Sequence, residues 1–188
     1  MPGVADTYQG TEIPDFSLVD PDNRRPVDYR CRQTLLKNIR RRAESPSTNL
    51  EAYARELTGG IEDGRAKLYL TWRALHTRGD HPGLFSKGEY FPLTAAGPLS
   101  EHVVAFARRW EGQTAIVAVP RLTARLNSNA DQPSLGPELW KNTHLETKEL
   151  GSPSKWMNVL TNSRLTTKDD GFEVGELFTH FPVALLLQ

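Results

Sequence analysis

The first apolar pattern at helical spacing follows Asp28. Leu35, Leu36 and Ile39 lie on one narrow stripe, and mostly polar or basic residues fill the positions between Asp28 and Ile39. Asp28 precedes this stripe and is of a residue type that caps helix amino termini, because its carboxylate accepts a hydrogen bond from a backbone N–H. The pattern therefore predicts a helix that starts at Asp28 and presents one narrow face to a core.

A second stripe precedes the pair Gly59 and Gly60. Its members are spaced as on one face of a helix, and they are Leu50, Tyr53, Ala54 and Leu57. Thr48 and Glu51 form the pattern of a capping box, in which each side chain bonds the backbone N–H of the other residue. We expect this helix to be capped by Thr48 and to end at the glycine pair.

A third helical pattern starts near Glu62 and Asp63, whose negative charges suit a helix amino terminus, and it reaches Gly79. The residues that share one face of it are Leu68, Trp72 and Leu75. An exposed Trp72 would offer a platform on which a sugar stacks. An aromatic residue at helical spacing with two leucines is more typical of a core, so we expect Trp72 to be buried.

After residues 79–83, which are rich in turn formers, the pattern changes from helical to alternating. Residues 102–110 and 114–119 are β-rich runs, and the short turn between them predicts a hairpin. Shorter runs that predict strands lie around Leu145 and at 157–161, 172–178 and 183–187. Several short strands without a helical pattern predict an antiparallel β-sandwich over residues 84–188.

Composition and charge narrow the class of protein. The chain has 188 residues, of which 38% are hydrophobic and 24% charged, values typical of a globular protein. Its formal net charge is zero, so no global attraction to nucleic acid or to an acidic membrane is expected. Cys31 is the single cysteine, no glycosylation sequon or signal pattern is present, and the longest apolar run, 182–187, is too short to span a bilayer. These features predict a cytoplasmic protein without a membrane partner.

Basic residues are concentrated around the first predicted helix. Between residues 24 and 42, Asp28 is the only acid, and the basic residues are Arg24, Arg25, Arg30, Arg32, Lys37, Arg40, Arg41 and Arg42. Such a patch is a candidate phosphate-binding surface, but only Tyr29 interleaves it, whereas single-strand binding uses several stacking aromatics. A solvated helix face balanced by acids elsewhere is the favoured interpretation, so no nucleic acid partner is expected.

The stretch Ser17-Leu-Val-Asp-Pro-Asp-Asn-Arg-Arg-Pro-Val-Asp28 concentrates hydrogen-bonding side chains between two prolines. The prolines stiffen the backbone around Asp20 and Arg25. Asp20, Asp22 and Asn23 offer acceptors, and Arg24 and Arg25 offer forked donors, an inventory that suits a polyhydroxylated ligand such as a sugar. The alternative is an Asx-turn before a helix with its ion pairs on the surface.

The same stretch carries a resemblance to a known family. Tyr8-Gln-Gly-Thr-Glu12 and Asp15-Phe-Ser-Leu-Val-Asp-Pro-Asp-Asn-Arg-Arg-Pro-Val-Asp28 resemble the last barrel strand and following loop of the maltooligosyl trehalose synthases, within the α-amylase superfamily. Further resemblances run on in order: Lys67-Leu-Tyr-Leu-Thr-Trp-Arg-Ala-Leu75, Leu84-Phe85, Gly88-Glu-Tyr90, His102-Val-Val-Ala-Phe-Ala-Arg108, Pro120-Arg-Leu122 and Phe181-Pro-Val-Ala-Leu-Leu186. The resemblance therefore covers nearly the whole chain.

The resemblance implies an α+β fold. Residues 1–80 would be the carboxy-terminal remnant of a (β/α)8 catalytic barrel, and 84–188 a carboxy-terminal antiparallel β-sandwich domain. The implied enzyme is an isomerase that converts the reducing-end α-1,4 linkage of a maltooligosaccharide to an α,α-1,1 linkage by intramolecular transglucosylation. Its catalytic carboxylates would lie before this chain, so the amino-terminal barrel is the expected partner and the chain alone is expected to be inactive. The substrate-binding residues implied are Tyr8, Gln9, Glu12, Asp20, Asn23, Arg24 and Arg25.

Other chemistry is disfavoured by the residues themselves. The five histidines form no HExxH pair and have no paired cysteines, and no phosphate-binding loop or nucleophile elbow is present, so no metal or other cofactor is expected. Cys31 lies in a basic neighbourhood that favours a thiolate, but no histidine nearby serves as its base, and incidental packing is the favoured interpretation. A stand-alone glycan-binding or structural β module is the alternative to the enzyme fragment.

Overall fold

The computed structural model describes residues 8–17, 24–126, 133–151, 155–167 and 171–188. Its α-helices are α1 (Tyr29–Ala43), α2 (Leu50–Gly59), α3 (Arg65–Asp80), α4 (Pro82–Lys87) and α5 (Val174–Leu177). Its strands are β1 (Glu89–Leu93), β2 (Ala95–Ala96), β3 (Val103–Trp110), β4 (Gln113–Pro120), β5 (His144–Glu146), β6 (Lys155–Asn158), β7 (Arg164–Thr166), β8 (Gly171–Glu173) and β9 (Ala184–Leu187). None of the helices in these ranges is long and apolar enough to cross a membrane.

Helix α1 starts where the sequence predicts. The Asp28 carboxylate accepts a hydrogen bond from the backbone N–H of Cys31 at 2.9 Å, which confirms Asp28 as the cap. Ile39 is buried, and Leu35 and Leu36 are partly buried against the same core. The narrow apolar stripe thus fixes which face of α1 points inward.

Helix α2 is predicted correctly in its extent and its buried face, but its predicted cap is wrong. Asn49 caps the helix, since its side chain accepts from the N–H of Ala52 at 3.0 Å. Thr48 instead donates from Oγ1 to the carbonyl of Arg42 at 2.6 Å, across the loop that joins α1 to α2. Glu51 accepts from the hydroxyl of Ser163 at 2.9 Å, a contact more than a hundred residues away that no local pattern indicates.

Helix α3 follows a short turn of 3₁₀ helix at Ile61–Asp63. Trp72 is buried, which confirms it as a core residue. Leu75 was predicted on the same face but is 58% exposed, whereas Tyr69 is fully buried. The Tyr69 hydroxyl donates to the carbonyl of Leu160 at 2.6 Å, and burial raises the pKa of Tyr69 to about 12, so this donor stays protonated.

The strands form two antiparallel sheets. The larger has the order β1-β3-β4-β9-β6-β7, and the smaller has the order β2-β5-β8. The predicted hairpin is confirmed as β3 and β4, and its turn residues Glu111 and Gly112 both have positive φ (47° and 81°), as a tight two-residue hairpin turn requires.

The predicted strand at 172–178 is only partly correct, because β8 ends at Glu173 and α5 follows. Gly175 lies in α5, and a Cβ added there would meet the Cα of Pro137 at 2.5 Å. The chain turns here against a distant segment, so tertiary contact overrides the local preference for strand.

The six-stranded sheet is covered on both faces near its centre. Because side chains alternate along a strand, Val117 and Leu185 face the helices, while Ile116 and Leu186 face the smaller sheet. The helix-side cluster joins residues of α1, α2 and α3 to the sheet, with Tyr69 among its members. The architecture is therefore a mixture of helices and antiparallel sheet, as predicted. The domain boundary between residues 80 and 84 stays a prediction.

Candidate functional site

The segment of residues 8–17 packs against the start of α1 and of α3. Thr11 turns the backbone by donating to the carbonyl of Tyr8, from its N–H at 3.3 Å and from its hydroxyl at 2.6 Å. Gly10 has a φ of +87°, and an added Cβ would lie 3.1 Å from a methyl of Val27. Glycine suits this position for two reasons. Other residues rarely adopt a positive φ, and a side chain here would press against Val27.

Arg32 holds this segment onto α1. Its Nε donates to the Glu12 carboxylate at 3.1 Å and its Nη2 to the carbonyl of Gly10 at 2.5 Å. Its Nη1 donates to the carbonyl of Asp28 at 3.1 Å. Sequence reasoning missed Arg32 as a site residue, because it is one of many basic residues near α1. A cation near the amino terminus of a helix is disfavoured by the helix dipole, but Arg30 shares this position, so the signal does not single out Arg32.

A polar cavity of about 210 Å³ lies between residues 9–17 and residues 25–32. It is lined by Gln9, Gly10 and residues 14–17 on one side and by residues 25–28 and Arg32 on the other. The cavity is smaller than the roughly 300–1,000 Å³ usual for drug-sized ligands. It therefore suits one small polar unit of a longer ligand.

Acceptors and donors face this cavity together. The Ser17 hydroxyl and N–H both donate to the Asp15 carboxylate, at 2.6 and 2.8 Å, and the hydroxyl's hydrogen bond is the main reason that the pKa of Asp15 lies below its ordinary value. Asp15 thus remains an ionised acceptor at neutral pH. With Arg25 on the opposite side, the cavity combines carboxylate and guanidinium groups, which are the groups that bind hydroxyl-rich ligands.

The predicted site residues are partly brought together. Gln9 and Arg25 line the cavity, and Glu12 is joined to it through Arg32. The Gln9 side chain also accepts from the hydroxyl of Tyr29 at 3.4 Å. Tyr8 is 45% exposed, and Arg24 is exposed in the segment that leads into α1. Asp20 and Asn23 lie outside the described residues.

The basic patch around α1 is partly neutralised by neighbouring acids. Arg42 makes two hydrogen bonds to the Glu56 carboxylate, and these raise the pKa of Arg42 and lower that of Glu56. Arg40 pairs with Glu44 at 3.2 Å. These pairs support the interpretation of a solvated helix face. Within the described ranges, no group of three histidine, cysteine or acidic residues is arranged to hold a metal ion.

Comparison with known proteins relates this arrangement to an enzyme family. No protein-family model matches the chain. Proteins of two strains of Mycobacterium tuberculosis, both provisionally named maltooligosyl trehalose synthase, are 36% identical to it over all 188 residues. A solved mutant of maltooligosyltrehalose synthase from Arthrobacter ramosus shares 35% identity and matches 99% of the chain with a TM-score of 0.67. The predicted resemblance to maltooligosyl trehalose synthase is confirmed.

The likeness to maltooligosyl trehalose synthase extends across the helices, both sheets and the segment that forms the cavity, because it covers the chain from end to end. The chain spans only 19% of the length of the two curated relatives, and 20% of the solved Arthrobacter chain. The matched part of maltooligosyl trehalose synthase is therefore about a fifth of the relatives' length.

Proposed function

We propose that this chain is the carboxy-terminal portion of a maltooligosyl trehalose synthase and that its residues 8–32 contact the substrate. The observation that carries the proposal is the 36% identity over all 188 residues to proteins provisionally given that name. The polar cavity between Gln9 and Arg25 supports it, because its donors and acceptors match a sugar's hydroxyls.

The reaction proposed is an intramolecular transglucosylation. A carboxylate nucleophile traps the maltooligosyl unit, and the released terminal glucose turns and attacks through its anomeric hydroxyl to form the α,α-1,1 bond. The nucleophile and the acid/base carboxyl belong to the remaining four-fifths of the enzyme. In this proposal residues 1–80 complete the catalytic barrel, 84–188 form the β domain, and the chain by itself has no activity.

The proposed substrate contacts rest on the residue types and on the family resemblance. Arg24 and Arg25 donate to glucose hydroxyls, while Asp20 and Asn23 accept from them. Tyr8, Gln9 and Glu12 lie on the segment that borders the catalytic pocket of the complete enzyme. Gln9 and Arg25 are the members of this set that line the described cavity.

Replacement of Arg24 by alanine in a full-length enzyme that carries these residues tests the proposal. Charge-assisted hydrogen bonds contribute about 1.5–3 kcal/mol each. Arg24→Ala should therefore lower kcat/KM on maltooligosaccharides by roughly 10- to 150-fold and leave the melting temperature nearly unchanged. Arg41→Ala is the matched control, because Arg41 is also exposed but lies on α1 away from the cavity.

The proposal fails if Arg24→Ala leaves kcat/KM unchanged but clearly lowers the melting temperature, because Arg24 would then serve the fold alone. Turnover of maltohexaose to a trehalose-capped product by the isolated 188-residue chain would contradict the assignment of the catalytic carboxylates to the rest of the enzyme. Both results are read from product analysis and a thermal melt.

A further inference from the structure

We propose that Arg32 is the positioning residue that sets the placement of segment Tyr8–Glu12 for substrate binding. This inference rests on the proposed function and gives Arg32, which lines the cavity, the further role of holding the neighbouring segment in place. Arg32 is the fourth residue of α1, and its side chain is 16% exposed. Its hydrogen bonds to Asp28, Gly10 and Glu12 direct the side chain back along the helix toward the cavity.

All three nitrogens of Arg32 already bond to protein. Nε donates to Glu12, Nη2 to the carbonyl of Gly10 and Nη1 to the carbonyl of Asp28. An arginine has five N–H donors in a planar fork, and here the fork joins two parts of the chain that are about twenty residues apart. Arg32 is mostly buried, whereas Arg24 and Arg25 are exposed.

The acceptors of Arg32 fix the backbone next to the predicted sugar contacts. Gly10 lies between Gln9 and Thr11, and a Cβ on it would lie 3.5 Å from Arg32 Nη2. A shift of the guanidinium would break its hydrogen bonds to the Gly10 carbonyl and the Glu12 carboxylate, which tie this segment to α1. A displacement of about 1 Å in a group that positions the substrate can lower the rate on the order of 100-fold. Arg32 therefore affects the reaction through the residues whose position it fixes.

A lysine cannot reproduce this arrangement. Its ammonium is a point charge whose donors all leave one atom, so it reaches one or two of the three acceptors. Arg32→Lys keeps the positive charge but loses the fork. The pair Arg32→Lys and Arg32→Ala therefore separates the effect of charge from the effect of geometry.

The experiment uses a full-length enzyme that carries these 188 residues, with Arg24→Ala and Arg41→Ala prepared alongside. We expect Arg32→Ala to lower kcat/KM by about 10- to 100-fold and Arg32→Lys to remain at least severalfold below the parent. Added methylguanidinium should restore part of the activity of Arg32→Ala, whereas methylammonium should not. Amide hydrogen exchange at residues 10–12 should accelerate in both Arg32 variants and stay unchanged in Arg41→Ala.

The outcomes separate this inference from the proposed function. If Arg24→Ala lowers kcat/KM and Arg32→Ala does not, the role of Arg32 is overturned and the proposed function stands. If neither variant lowers kcat/KM, the proposed function is overturned and this inference with it. Unchanged exchange at residues 10–12 in a folded Arg32→Lys, or full activity of that variant, overturns the positioning role even if Arg32→Ala fails to fold.

Discussion

The described residues of the stretch 8–32, which are 8–17 and 24–32, and the core around Tyr69 belong to one chain but are held by different interactions. In the stretch, Phe16 is 90% exposed, and hydrogen bonds from Arg32 join Gly10 and Glu12 to α1. Around Tyr69, the aromatic rings of Tyr53, Trp72 and Phe181 lie 5.8 to 6.0 Å away, centroid to centroid. Directional bonds give the stretch its precise placement, whereas buried area gives the core its stability.

The largest expected effect comes from breaking the core at Tyr69. Tyr69→Ala removes a fully buried ring and leaves a cavity between α3 and the sheet. Substitutions of this kind cost about 3–5 kcal/mol of unfolding free energy. Urea unfolding of the 188-residue chain measures the loss.

The variant Tyr69→Phe sharpens the same test. It keeps the ring and removes only the hydroxyl that donates to Leu160, so its cost should be about 1–3 kcal/mol. Equal losses for the two variants would mean that the hydrogen bond, and not ring burial, dominates at this position. The contrast between core and stretch would then disappear.

A smaller effect is expected from a single directional bond at the start of α2. Asn49→Ala removes the side-chain acceptor for the N–H of Ala52. Loss of such a cap costs about 0.5–2 kcal/mol, which a urea titration resolves. Asn49→Asp should retain nearly full stability because it keeps an acceptor, and a loss as large as that of Asn49→Ala would show that capping is not the role of this residue.

The smallest effect is the pH dependence contributed by His180. Its side chain is 14% exposed, its Nε2 lies 3.6 Å from a Glu51 oxygen, and the pKa of His180 is lowered by burial first and then by Arg55, with Glu51 opposing. A lowered folded pKa means that the unfolded chain binds the proton more readily. The stabilising contribution is present above the ordinary pKa of about 6.5 and is lost as the pH falls through the folded value.

Comparison of the parent with His180→Gln isolates this contribution. The difference in unfolding free energy between the two proteins, measured by urea unfolding from about pH 8 to about pH 5, should shrink or reverse as the pH falls. A parent that gains stability relative to His180→Gln on acidification would show that Glu51 outweighs burial. The polar contact between α2 and the segment that joins α5 to β9 would then resemble the hydrogen-bonded stretch more than the core.

Sequence patterns correctly predicted the features that depend on residues close together in the chain. The cap at Asp28, the stripe of α2 and the turn at Glu111 and Gly112 all depend on residues within a few positions of one another. The errors occur where a distant segment decides. Leu75 and Tyr69 are both apolar residues of α3, and only the position of Leu160 and the sheet determines that Tyr69 is the one buried.

The candidate site shows the same division. Gln9 and Arg25 were predicted from their residue types and from the family resemblance, and both line the cavity. Arg32 was missed because one basic residue in a cluster looks like another until the partner carboxylate of Glu12 is placed beside it. Composition could indicate that the stretch binds polar groups, but it could not separate the arginine that holds the backbone from those that face outward.

The position of β9 in the larger sheet has a consequence for how the chain reaches its fold. The pairs β3–β4 and β6–β7 are close in sequence and can form as independent hairpins, but β9 lies between β4 and β6 and follows both in the chain. Until residues 184–187 are inserted, each hairpin exposes an edge that can pair with a wrong strand. Closing the long loop from β4 to β9 is entropically costly. We therefore expect insertion of β9 to be the slow step of folding.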